Sequence, residues 1–258
     1  MQIDDIIKYS QQLIAHFPDG KQLGFNGFFV RCREYFYFVT VNHGVAPDLR
    51  QADNIYLILH ANSMGLNTRA LHIKNWQFVD FYEFPCNNGY TLPRLMDTDR
   101  LDLAFYGVQK ETLENSIEKL PFFLDDADSA ICHKKKFDYI TLTQNSISPT
   151  RDKKYYVAGK IYREITMVRA RYDVLYFSDM EYIGDFEGLY EFRIQLFPDN
   201  CNGLSGSPVF DEDKNFVGMA VRYRENDNVL RVFPANDIAY YLYNDCTPSP
   251  EEIECYKQ

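Results

Sequence analysis

Short runs of alternating apolar and polar positions, punctuated by Gly, Pro, Asn and Asp, dominate this chain and predict strands rather than helices. The exceptions lie at the two ends. Ile3, Ile6, Ile7, Leu13, Ile14 and Phe17 recur at helical spacing and predict a short amphipathic helix over residues 3–17, stopped by Pro18-Asp19-Gly20. Strands are then predicted at Gly24–Cys32 and Tyr35–Val41, joined by a tight turn at Arg33-Glu34, and at Ile55–His60, Ala70–Tyr82 and Arg100–Tyr106. Pro85–Pro93 reads as a loop and Glu111–Leu120 as a polar linker. Beyond it, strand patterning returns at Tyr155–Ile161, Ile165–Arg171, Val174–Phe177 and Leu189–Leu196. Val209-Phe210 and Phe216–Arg222 flank the polar turn Asp211-Glu212-Asp213-Lys214-Asn215 as a hairpin, and Val229–Phe233 is the last strand. Pro234-Ala235-Asn236-Asp237 then caps a helix over Ile238–Tyr243.

Composition sharpens this picture. Aromatics reach 16%, with 20 Tyr and 20 Phe, a richness that favours strands and points to an all-β chain. With 46% hydrophobic and 25% charged residues, 258 residues suffice for one domain with a real core. The net charge of −10 disfavours nucleic acid or an anionic membrane as partner. No apolar run approaches the roughly 20 residues of a membrane helix. The opening Met-Gln-Ile-Asp-Asp lacks the features of a secretion signal, so a cytoplasmic location is expected. Cys32, Cys86, Cys132, Cys201, Cys246 and Cys255 are then expected as reduced thiols, and none has Cys-x-x-Cys spacing, so no metal site is expected. Lys134-Lys135-Lys136 and Arg151-Asp152-Lys153-Lys154 read as solvated loops, with an acidic partner as the sharper alternative.

The chemistry concentrates in Asp199-Asn200-Cys201-Asn202-Gly203-Leu204-Ser205-Gly206-Ser207-Pro208-Val209-Phe210. Ser205 sits on a turn between Gly203 and Gly206, where glycine conformations let successive N–H groups face one concavity. The N–H groups of Gly203 and Ser205 are the candidate oxyanion donors. A serine nucleophile needs a base and an orienting acid. His43 follows the apolar run Phe36–Val41, and Asp102 lies within Leu101-Asp102-Leu103-Ala104, where apolar neighbours would bury it beside a partner. The nearby Asp97 and Asp99 look like loop residues, and His16, His60, His72 and His133 lack the setting of His43.

Val-Thr-x-x-His ending at His43, Asp-Leu-Ala from Asp102, and Gly-x-Ser-Gly-Ser-Pro-Val around Ser205, in that order, resemble the trypsin/chymotrypsin-like serine peptidases. Bacterial members are nearest: the glutamyl endopeptidases and the high-temperature-requirement proteases. The resemblance implies two six-stranded antiparallel β-barrels with a short N-terminal and a C-terminal helix. Its implied divisions are residues 1–20 for the first helix, 21–120 and 121–234 for the barrels, and 235–258 for the final helix and tail. It also implies peptide-bond hydrolysis on a Ser205–His43–Asp102 triad, without metal or cofactor, on a protein or peptide substrate.

Two departures from the family follow. Leu204 stands where trypsin-like zymogens carry an acid that pairs with a new N-terminus, so restraint is expected instead from a regulatory protein partner or from ordering of the loop around Gly203. Asp199, six before the serine, occupies the place of the trypsin pocket acid and implies cleavage after Arg or Lys. Arg222 and Arg224 follow the pocket-wall strand Gly218–Val221 and could favour an acidic residue instead, and Val221 and Arg222 are expected to touch substrate. Secreted relatives often bridge the cysteine at the position of Cys201 to one downstream, yet no cysteine lies between Gly218 and Arg231. Two alternatives stay open: a catalytically silent binding module on this fold, and a hydrolase of small esters.

Overall fold

The structure, a computed structural model, describes residues 1–46, 52–60, 69–73, 77–80, 100–108, 138–143, 147–166, 169–194 and 203–245. Asp97, Asp99, Asp199, the Pro85–Pro93 and Glu111–Leu120 segments, Lys134–Lys136 and every cysteine but Cys32 lie outside these residues.

Helix α1 (Ile3–Ile7) leads into β1 (Gln11–His16), β2 (Gln22–Cys32) and β3 (Tyr35–Thr40). A single turn, α2 (Asn42–Val45), follows, then β4 (Asn54–His60), β5 (Arg69–Ile73), β6 (Gln77–Asp80), β7 (Arg100–Val108) and β8 (Tyr139–Thr141). The second half contains β9 (Lys154–Thr166), β10 (Arg169–Phe186), β11 (Leu189–Arg193), β12 (Pro208–Asp211), β13 (Phe216–Arg224), β14 (Val229–Pro234) and helix α3 (Ala235–Asp245). Among the described residues no helix is long and apolar enough to cross a membrane.

Two antiparallel β systems result. The first is a half-barrel with strand order β5-β4-β1-β2-β3-β7-β6, to which β8 adds in parallel along the second half of β2. The second closes as a six-stranded barrel, β10-β11-β14-β13-β12-β9. The larger apolar core runs through the half-barrel and on to Phe210, Met219, Phe233 and α3, while a second cluster fills the closed barrel. Ring contacts stitch the two halves together, among them Phe28 of β2 against Phe216 of β13, with centroids 5.3 Å apart.

Three element predictions are corrected. Residues 3–17 do not form one helix: α1 stops at Ile7, Gln11–His16 pair with β2, and Gln12–His16 pair with β4 as well. Leu13, Ile14 and Ala15 are all buried, and such a run of adjacent apolar residues fits helix and doubly covered strand alike. Ala70–Tyr82 is two strands rather than one, with β5 at one edge of the sheet and β6 at the other. Ile165–Arg171 is divided between β9 and β10.

The cationic cluster at residues 151–154 is engaged within the chain. Lys153 pairs with Asp211 at 2.9 Å and Asp213 at 2.6 Å, and Lys154 pairs with Glu181 at 2.8 Å.

Candidate active site

Antiparallel pairing of β3 with β7 sets Thr40 opposite Ala104, which brings the end of β3 beside Asp102. The α2 turn then starts at once and carries His43 over that carboxylate. Leu101 and Leu103 fall on the core side, fully buried, and the intervening Asp102 faces the site at 7% exposure. Its Oδ1 accepts from the His43 backbone N–H at 2.9 Å. His43 Nδ1 lies 2.9 Å from Oδ1 and 2.7 Å from Oδ2. A carboxylate only accepts, so Nδ1 carries the proton and Nε2 is left with its lone pair. The His43 side chain is 29% exposed, on the wall of a cavity. Burial works against the imidazolium, but the charge of Asp102 and its hydrogen bond outweigh it and raise the His43 pKa above 6.5, with Arg222 opposing.

The loop from Gly203 to Ser207 turns sharply, with Gly203 at φ 98° and Gly206 at φ 87°. At Gly206 the constraint is steric as well, because an added Cβ would lie 1.7 Å from the carbonyl oxygen of Asn26. That oxygen also accepts from the Thr40 hydroxyl at 2.6 Å. The threonine of Val-Thr-x-x-His thus supports the strand on which the serine loop rests. Leu204 is 2% exposed and packs with Val157, Ile194 and Val209 in the closed-barrel core, so the loop is anchored by apolar burial at this position.

Ser205 comes to the same cleft as His43. Both line a cavity of about 510 Å³ with Gly24, Phe25, Gly203, Val221 and Arg222 among its walls. The Ser205 hydroxyl donates to the Val221 carbonyl at 3.1 Å. That carbonyl is available because Val221 is the extra residue of a bulge in β13, between Ala220 and Arg222, where the ladder to β14 slips by one. The N–H groups of Gly206 and Ser207 are taken by the carbonyls of Ala220 and Leu204, whereas no described backbone carbonyl takes those of Gly203 or Ser205. Because the Leu204 carbonyl turns toward Ser207, the Ser205 N–H of the same peptide points the opposite way.

Of the residues singled out in the sequence, His43, Gly203, Ser205, Val221 and Arg222 meet at this cavity, with Asp102 held against His43. Asp199 lies outside the described residues. Sequence reasoning missed Asn26, which is fully buried and bonded to the serine loop. Its signal was a lone amide in the apolar run Phe25-Asn26-Gly27-Phe28-Phe29.

No family model and no curated protein matches the chain. Solved structures do. The scabies mite inactivated protease paralogue S-D1 superposes with TM-score 0.57 at 12% identity, over 94% of this chain and 95% of that one. A Glu endopeptidase gives TM-score 0.53 at 13% identity over 95% and 94% of the two chains. The protease Anisep from Arthrobacter nicotinovorans gives 0.53 at 11% over 93% and 95%. At such identities the likeness is one of fold, and the fold is the chymotrypsin-type double β-barrel.

Proposed function

We propose that the chain is a serine peptidase that hydrolyses peptide bonds through an acyl-enzyme. Ser205 Oγ attacks the carbonyl carbon, and His43 Nε2 takes its proton and returns it to the leaving amine. Asp102 fixes the imidazole tautomer and stabilises the imidazolium. The N–H groups of Gly203 and Ser205 receive the oxyanion, and water then releases the acyl group. No step needs a metal or cofactor. The observation that carries this reading is that His43, doubly contacted by Asp102, lines one cavity with Ser205.

The second reading, a silent binding module, is favoured by one observation: the Ser205 hydroxyl is committed to Val221 rather than to a base. A neutral hydrogen bond of this kind is worth about 1 kcal/mol net, so a rotamer change that redirects it costs a factor of only about five in population. We therefore favour the enzyme. A fluorophosphonate probe should label the wild-type protein at Ser205, and Ser205→Ala should abolish labelling. A wild-type protein that stays unlabelled would hand the case to the binding module.

Cleavage after Arg or Lys is proposed on the position of Asp199 alone. Arg222, exposed on the cavity wall, favours an acidic side chain instead. A peptide library decides between them: cleavage confined to Glu or Asp sites removes the basic preference. A regulatory partner acting on the 203–207 loop and a cytoplasmic setting complete the proposal.

A further inference from the structure

Asn26 lies in β2, in the half-barrel, with no exposed surface. Its side chain makes four contacts, and none is to its own sheet's ladder. Oδ1 accepts from the Lys160 backbone N–H at 3.1 Å and from the Ser10 hydroxyl at 3.1 Å. Nδ2 donates to the Lys160 carbonyl at 3.0 Å and to the Gly203 carbonyl. Lys160 belongs to β9 of the closed barrel, and β12 covers that edge of β9 only at Tyr155, Tyr156 and Val157. Past that point the Asn26 amide acts as a single-residue substitute for a neighbouring strand, offering both donor and acceptor to one backbone residue.

The main chain of Asn26 grips the serine loop as well. Its N–H donates to the Ser205 carbonyl at 2.8 Å, and the N–H of that same peptide, from Gly206, donates to Ala220 at 2.8 Å. The peptides before Leu204 and after Ser205 are therefore each tied to Asn26, the first by its side chain and the second by its backbone. The peptide between them carries the Ser205 N–H. With both flanking planes fixed, the torsions that aim this N–H and the Ser205 Cα have little freedom.

We propose that Asn26 is a positioning residue: one amide that couples the two barrels and sets the serine loop's backbone, and through it the reactivity of Ser205. Its chemical half rests on the reading of Ser205 as nucleophile; its conformational half does not. An acid of the same shape cannot do this, because Asn26→Asp sets a carboxylate oxygen against the Lys160 and Gly203 carbonyls.

The experiment pairs two readouts on Asn26→Asp, Asn26→Ala and Ser10→Ala, using the full chain. The first is the second-order rate of fluorophosphonate labelling, taken well below each variant's melting temperature. The second is hydrogen exchange of peptides covering residues 203–207, against peptides from β11 and β14. Both Asn26 variants should label at least tenfold more slowly and exchange at least tenfold faster in the loop, with β11 and β14 within twofold of wild type. Ser10→Ala, which keeps every bond to the loop, should label within twofold of wild type. Folded Asn26 variants with wild-type labelling and loop exchange would overturn the proposal. So would exchange that rises equally everywhere, or failure of both variants to fold, since each assigns Asn26 to the core alone. Faster loop exchange in a protein whose wild type never labels would instead keep the positioning role and remove the peptidase reading.

Discussion

The His43 imidazole is pulled in opposite directions by partial burial and by the Asp102 carboxylate, and the carboxylate wins, so the folded pKa lies above 6.5. In the proposed mechanism only the neutral ring accepts the serine proton, so the rate of Ser205 labelling should rise with pH and show a midpoint above 6.5. Replacing Asp102 by Asn should slow labelling by up to about 10⁴, the size found for the chymotrypsin-type triad, and move the midpoint down. NMR titration of the ring in Ser205→Ala reads the same quantity without turnover, and a midpoint below 6.5 would refute the assignment. The stability consequence has a definite sign. A raised histidine pKa favours the folded state while the ring is protonated; this contribution is complete below pH 6.5 and is lost as pH rises through the folded value.

Helix α3 shows how an element's surroundings override its local rules. Asp237 stands in its first turn, where the helix dipole favours an anion by about 0.3–1 kcal/mol. Burial there opposes ionisation more strongly and raises its pKa from 3.8 to about 6, a cost of up to about 3 kcal/mol once ionised. The sign is the reverse of a salt-bridged acid: the folded state holds the proton more tightly, so stability falls as pH rises from 3.8 to about 6. Asp237→Asn should raise the melting temperature at pH 7 and flatten that slope, and a variant with an unchanged pH profile would contradict the burial argument. The sequence placed this helix but began it three residues late: Asn236 and Asp237, read as cap residues, lie inside its first turn. It misread β1, because a strand covered on both sides presents Leu13-Ile14-Ala15 as an unbroken apolar run with no period of its own. The short β8 was not predicted either: three residues carry too little alternation to stand out from coil.

Across the whole molecule, the larger apolar core does not respect the boundary between the two β systems. Phe28 is fully buried in β2 and stacks obliquely on Phe216 of β13, so removing its ring empties a space that both halves line. Phe28→Ala should cost about 3–5 kcal/mol. It should also lower a single cooperative transition, seen at one midpoint by probes in either half. Two separated transitions in calorimetry would show that the halves fold independently. The site depends on the same continuity. His43 and Asp102 come from the half-barrel and Ser205 from the closed barrel's loop, so their approach is fixed by how the two halves pack.

Alternation, aromatic richness and turn residues were enough to determine a β-rich chain with its main strands in place. The three motifs also singled out His43, Asp102 and Ser205 as candidates, because local composition sets which face a residue takes and how tightly a turn can bend. Tertiary structure alone decided which strands neighbour which, that the second sheet closes, and that Ser205 donates to the bulged Val221. It alone also brought Asn26 against Lys160, 134 residues along the chain. The reason is physical: a period of two encodes the side of a strand that is buried, but not the partner that buries it. That partner is selected by packing and hydrogen bonding summed over the whole fold.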